Sequence, residues 1–261
     1  MKIILNLCAI IILFSSVSAK DIGEKIAEKN IEVRGGKSKI EAVKQWKFTM
    51  VSTDIQAQKN DNGIMFFDES NGAFYVEQSL NGEMGIFAWD GTQGWFIAPF
   101  LKVNVPTVMD DMTRMGTDAQ FKQVLGLVRG IFYDYKQDST KVVFMEKLKI
   151  DGKFYNKVKL TQPHAQISVQ ILVGVEDSFV HKIMLYDINP SPDGNNKPMT
   201  EIKFSAHKKY SGIIFPTMIE TTMNEQKVSL IKFTDIELNK KLDKSKFIMP
   251  EARPPVQKSS K

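Results

Sequence analysis

The residue types that could do chemistry are few in this chain, and they do not converge. The three histidines, His164, His181 and His207, lie far apart in sequence and each stands alone. His181 alternates with Phe179, Ile183 and Leu185, the setting of a partly buried, hydrogen-bonded ring rather than of a base with a partner. Carboxylates come in pairs at Asp68-Glu69, at Asp110-Asp111 and at Asp235 with Glu237. The last pair shares a strand face by period two and could hold a cation or act on a substrate, although a solvated acidic face is the ordinary case. No His-Glu-x-x-His, Gly-x-Ser-x-Gly or phosphate-cradling glycine loop occurs. The sole cysteine, Cys8, lies in an apolar run near the start. From Lys20 onward, disulfides, thiolate nucleophiles and cysteine-held metals are therefore excluded. These residues give no catalytic, metal or cofactor site, and the chain reads as a binder rather than an enzyme.

What the chain does offer is apolar surface. Residues 83–101 form two apolar strands around Asp90-Gly91, a dipeptide that suits the positive φ of a hairpin turn. The arms carry Trp89, Trp95, Phe87, Phe96 and Phe100, and Pro99 ends the second arm because it cannot donate to a ladder. Aromatics on both faces of one hairpin mean that both faces are covered or that one lines an apolar cavity.

The elements that must position this hairpin follow from periodicity. Residues 21–33 read as a helix stopped by Gly35-Gly36, and Ser38 with Glu41 reads as a capping box for a short second helix. From Trp46 the period becomes two. Asp61-Asn62-Gly63, Asn71-Gly72, Asn81-Gly82 and Asp90-Gly91 then punctuate a meander of antiparallel strands. Helical spacing returns at residues 106–115, with Val108, Met109, Met112 and Met115. Asp118 is placed as the cap of a clearer helix carrying Phe121, Val124, Leu125, Val128 and Phe132 on one stripe. That stripe is either plain cover for a sheet or a lid, and methionines suit a lid that repacks around varied apolar contents. Strands resume at 141–150, 154–160, 167–173, 179–186, 201–208, 213–223 and 228–238. The pattern predicts a mainly β, α+β chain of about 11–12 antiparallel strands, closed as a barrel or strongly curved sheet around helices.

Bulk composition sets the context. Lys2, the apolar run 3–14 and Val17-Ser18-Ala19 read as a secretory signal peptide over residues 1–19. One domain is expected over 20–250, with a disordered basic and proline-containing tail over 251–261. A loop over 189–198 is rich in Pro, Asn and Gly. The net charge of +5 reads as a mild excess spread along the chain, suited to anionic lipid or an acidic partner. No basic run interleaved with aromatics suggests nucleic acid.

The segment Asp90-Gly91-Thr92-Gln93-Gly94-Trp95-Phe96-Ile97-Ala98-Pro99-Phe100 resembles the Asp-Gly-x-x-x-Trp-x-x-x-Pro-Phe landmark of periplasmic outer-membrane lipoprotein carriers, the LolA/LolB-like superfamily. The late strand Ile231 to Asn239 and the ending Asp243-x-x-x-Phe247-x-x-Pro250 resemble that family too, in the same order. The resemblance implies a half-open β-barrel whose N-terminal and central helices form a lid over a cavity for lipoprotein acyl chains. It implies a periplasmic monomer that works without cofactors, with an inner-membrane release complex and an outer-membrane acceptor as partners. The expected cavity residues are Phe74, Val76, Trp89, Trp95, Ile97, Met112, Phe121, Leu125 and Val128. A basic residue latching the lid is not placed by the motifs; Lys47 is one candidate. Rival readings are an envelope sensor on the same fold, a hydrolase using a carboxylate pair, and a lipidated outer-membrane acceptor.

Overall fold

The computed structural model describes residues 18–80, 82–136, 140–161, 167–187 and 197–251. Cys8, Asn81, His164, nearly all of the expected signal peptide, most of the 189–198 loop and the tail beyond Glu251 lie outside these residues. Two helices, α1 (Ala19–Val33) and α2 (Lys37–Glu41), open the chain. Six strands follow: β1 (Gln45–Asp54), β2 (Lys59–Asp68), β3 (Ala73–Leu80), β4 (Glu83–Trp89), β5 (Gly94–Ala98) and β6 (Val103–Val108). Helix α3 (Asp111–Arg129) leads to seven more: β7 (Lys141–Ile150), β8 (Lys153–Thr161), β9 (Ile167–Gly174), β10 (Val180–Asp187), β11 (Thr200–Tyr210), β12 (Ile213–Met223) and β13 (Gln226–Leu238).

All thirteen strands form one antiparallel sheet that does not close, in the order β6-β5-β4-β3-β2-β1-β13-β12-β11-β10-β9-β8-β7. Each strand pairs with its neighbour in sequence, except where β1 meets β13, with Trp46 opposite Leu238 and Phe48 opposite Ile236. The sheet is therefore two meanders joined by one seam. Its end strands are β6 and β7, and α3 is the connection between them. The main core draws on both meanders and on α1 and α3. Phe48 meets Phe233 across the seam at 5.5 Å, while Phe121 of α3 lies 5.6 Å from both Phe67 and Phe74. This is the half-open sheet with helical cover that the motifs implied.

Several boundaries differ from the pattern reading, each for a local reason. Asp61-Asn62-Gly63 lies inside β2, where Gly63 pairs with Met50 and Gln78; the turn comes earlier, with Gln58 at φ +53°. Ser38 does not cap α2; Gly36 precedes that helix, with φ +86° and no side-chain cap. Residues 103–108 pair with β5 as an edge strand, which tolerates Pro106 because an edge leaves one side of the ladder free. Asp110, not Asp118, caps α3, accepting from the Thr113 N–H at 2.7 Å, and Asp118 sits within the helix. The Asp90 carboxylate accepts from the Thr92 and Gln93 N–H groups at 2.7 and 2.8 Å, so the β4–β5 link is a four-residue Asx-type loop with Gly91 at φ +106°.

Candidate functional site

The last turn of α1 carries Asn30, and Arg34 is the residue that caps its end; both are buried. Gly35 and Gly36, each at positive φ, turn the chain away and leave the Arg34 side chain directed at α3 and β12. The last four carbonyls of a helix lack partners within it. Arg34 supplies two of them: its guanidinium donates to the carbonyls of Val128 and Arg129, and its Nε–H donates to the carbonyl of Ile214 at 3.2 Å. Burial lowers the Arg34 pKa to about 10, so the group still carries its charge at neutral pH. A cation here also meets the negative end of the α3 dipole.

Arg129 fastens the same helix end to the first meander. It pairs with Glu69, lies 5.3 Å from the Trp46 ring and 5.1 Å from Tyr133, and Glu69 also accepts from the Trp46 indole at 2.6 Å. Lys47, the candidate latch, pairs instead with Glu237, as does Lys240. That pairing also uses Glu237 of the carboxylate pair on β13. The basic group that holds the helix is Arg34, on α1 rather than on an early strand. A lone arginine after a helical stripe carries no sequence signal of this role; only the double glycine behind it hints at a fixed exit.

Between the end of α1, the C-terminal half of α3 and strands β10–β12 lies a cleft of about 480 Å³. Its apolar wall includes Leu125, Ile131, Val180, Ile183, Phe204 and Pro216, with Asn30, Arg34 and His207 among its polar members and Lys122 on the more exposed side. Small-molecule sites are concave, mostly apolar and commonly of this size, with a few polar groups that orient the occupant.

His181 and His207 are not isolated. His181 bonds the Asp177 carboxylate at 2.8 Å, and its ring lies 5.9 Å from that of His207, which stacks on Phe179 at 4.4 Å. Burial, with His181 nearby, lowers the His207 pKa to about 4. The wall is therefore uncharged at this ring at neutral pH. Adjacent strands bring together what was distant in sequence. Among the described residues no cluster suited to a metal ion occurs.

The nine expected cavity residues divide between two faces. Leu125 lines the cleft. Phe74, Val76, Phe121 and Val128 are buried in the core on the helix side, and Trp89 packs against that core with Arg114 5.4 Å above its ring. Trp95 and Ile97 point the other way. They join Phe66, Tyr75 and Ala88 in a second cluster covered by Leu242 and Phe247. Met112 is 83% exposed and belongs neither to the cleft lining nor to the core. Alternation explains the split: Phe87 and Phe96 face α3, and their neighbours must face outward. Both faces of the aromatic hairpin are thus covered. A wider groove of about 700 Å³ lies beside Trp95, with Asp68, Asp90, Lys241 and Lys244 around it, and is more polar than the cleft under α3.

No protein-family model matches the chain, and a search of the curated proteins finds no match. Solved structures do. A DUF1329 family protein from Desulfovibrio piger is similar over 88% of this chain and 98% of its own, with 11% identity and a TM-score of 0.51. A LolA superfamily protein from Nitrosomonas europaea matches over 87% and 97%, with 14% identity and a TM-score of 0.48. The lipoprotein LppX from Mycobacterium tuberculosis matches over 84% and 98%, with 10% identity and a TM-score of 0.30. The likeness to the DUF1329 protein is one of fold. Among the described residues no helix is long and apolar enough to cross a membrane.

Proposed function

We propose that the chain is a periplasmic carrier, reached through a cleaved signal peptide, that shelters lipoprotein acyl chains or a related amphipathic lipid between α3 and the sheet for sorting to the outer membrane. The observation that carries this reading is the cleft itself, an apolar recess whose roof is one helix held by Arg34 and Arg129. Burial of an acyl chain contributes about 0.8 kcal/mol per methylene and needs no catalytic group. A donor complex at the inner membrane and an acceptor at the outer membrane are the partners this function calls for, and the carrier itself is monomeric and not an enzyme.

Leu125 is the test residue because it lines the cleft from the helix side. Leu125→Asp places a carboxylate in the recess and should abolish uptake of a fluorescent fatty acid while circular dichroism keeps its β signal. Unchanged uptake would overturn the assignment. Native mass spectrometry of protein taken from the periplasm should show a retained lipid or lipoprotein.

A further inference from the structure

One hairpin of the second meander carries a block of positive charge. The hairpin of β7 and β8, Lys141 to Thr161, carries six lysines (141, 147, 149, 153, 157 and 159) against Glu146 and Asp151, a net +4 in a chain of net +5. Its strands meet at a two-residue turn, Asp151 at φ +49° and Gly152 at φ +81°, the geometry that follows the twist of a hairpin most closely. One of its strands, β7, ends the sheet, and α1 packs against it at Val142 and Phe144, away from the turn.

Apolar side chains are exposed among these lysines. Phe154 is 44%, Met145 44% and Ile150 40% exposed. Phe154 pairs with Lys149 in the ladder, and the ammonium groups of Lys147 and Lys149 lie 5.1 and 5.4 Å from its ring centre. Ile150 follows Lys149 directly and so faces the other side of the hairpin. Apolar groups on both faces of a thin tip do not suit a flat protein partner, which would cover one face. They suit a medium that surrounds the tip. Clustered lysines beside exposed apolar side chains are the pattern by which surfaces bind anionic bilayers.

We propose that the β7–β8 hairpin docks the protein on an anionic lipid surface, with Phe154 and Ile150 entering the headgroup region and Lys147, Lys149 and Lys153 facing lipid phosphates. The site is separate from the cleft under α3 and does not depend on what the cleft holds. Docking would bring the carrier to the membrane before any transfer.

The test uses the protein from Lys20 onward and sedimentation with two kinds of vesicle, phosphatidylcholine alone and phosphatidylcholine mixed with phosphatidylglycerol. The protein should sediment with the mixed vesicles, be released by high salt, and stay in solution with phosphatidylcholine. Each of Lys147→Glu, Lys149→Glu and Lys153→Glu should weaken the association at least about fivefold, and Phe154→Ser should weaken it at every salt concentration. All four side chains are exposed, and circular dichroism verifies that each variant is folded. Equal sedimentation with both vesicles, insensitivity to these four substitutions, or capture by soluble polyglutamate without capture by mixed vesicles would each overturn the proposal.

Discussion

The indole N–H of Trp95 donates to the backbone carbonyl of Phe247 at 3.1 Å. Trp95 belongs to the landmark that begins at Asp90, and Phe247 to the ending that begins at Asp243, so the two stretches that carry the family resemblance meet in space. Asp243 accepts from the Ser245 N–H at 3.0 Å and shapes the turn that brings Phe247 over the sheet. The two motifs are one packing unit on the outer face, remote from the cleft under α3.

Truncating Trp95 therefore tests stability rather than binding. Trp95→Ala should cost about 3–5 kcal/mol, the usual cost of removing a buried aromatic, and lower the midpoint of thermal unfolding. Fatty-acid affinity of the folded fraction should be unchanged, in contrast to Leu125→Asp. Titration at a temperature well below the midpoint separates the two effects.

Arg34 should behave as a structural latch. Arg34→Met leaves the carbonyls of Val128, Arg129 and Ile214 without their donor, at about 1–3 kcal/mol for each stranded acceptor. Amide exchange should rise at the C-terminal end of α3 more than in β1 or β13. Gly130 gives an independent check: it holds φ +95°, and a Cβ there would collide with the Arg34 guanidinium. Gly130→Ala should reproduce the exchange pattern of Arg34→Met although Arg34 itself is intact.

His207 sets a pH dependence whose sign is fixed. Its pKa falls from 6.5 to about 4, first through burial and then through His181, with Arg34 acting the same way and Asp177 opposing. Between these values the unfolded chain takes up a proton that the folded chain refuses, so this residue makes stability fall as pH falls from about 6.5 to about 4. Above 6.5 it contributes no slope. His207→Gln should flatten that part of a urea-midpoint profile and leave the neutral-pH side without a slope change.

The course of most strands was legible because their turns are announced by the residues; the β1–β2 turn at Gln58 is not, since Asp61-Asn62-Gly63 lies inside β2. Strands β7 and β12 fall where alternation places them, and Pro99 stops β5 at Ala98. The inward face of the aromatic hairpin was not legible. Trp95 and Phe96 are both large and apolar, and both are buried, so period two gives the alternation without its direction. Residues 103–108 were hidden for the opposite reason. Val108 is spaced as if a helix ran on through Met109, Met112 and Met115, and only pairing with β5 settles 103–108 as a strand. The cleft's polar members come from two distant places, Asn30 and Arg34 from the end of α1 and His207 from β11, and no local pattern joins them.

The seam between β1 and β13 has a consequence for how the molecule is made. Every other pairing in the sheet links neighbours along the chain, so each meander can zip from local turns. The seam cannot form until β13 has been made, about 180 residues after β1, with Trp46 pairing to Leu238. Until then the first meander waits with β1 as an open edge and half of its core uncovered. The stage most exposed to aggregation is thus the end of synthesis, and a chain stopped before residue 226 would keep two sheets without the strand that joins them.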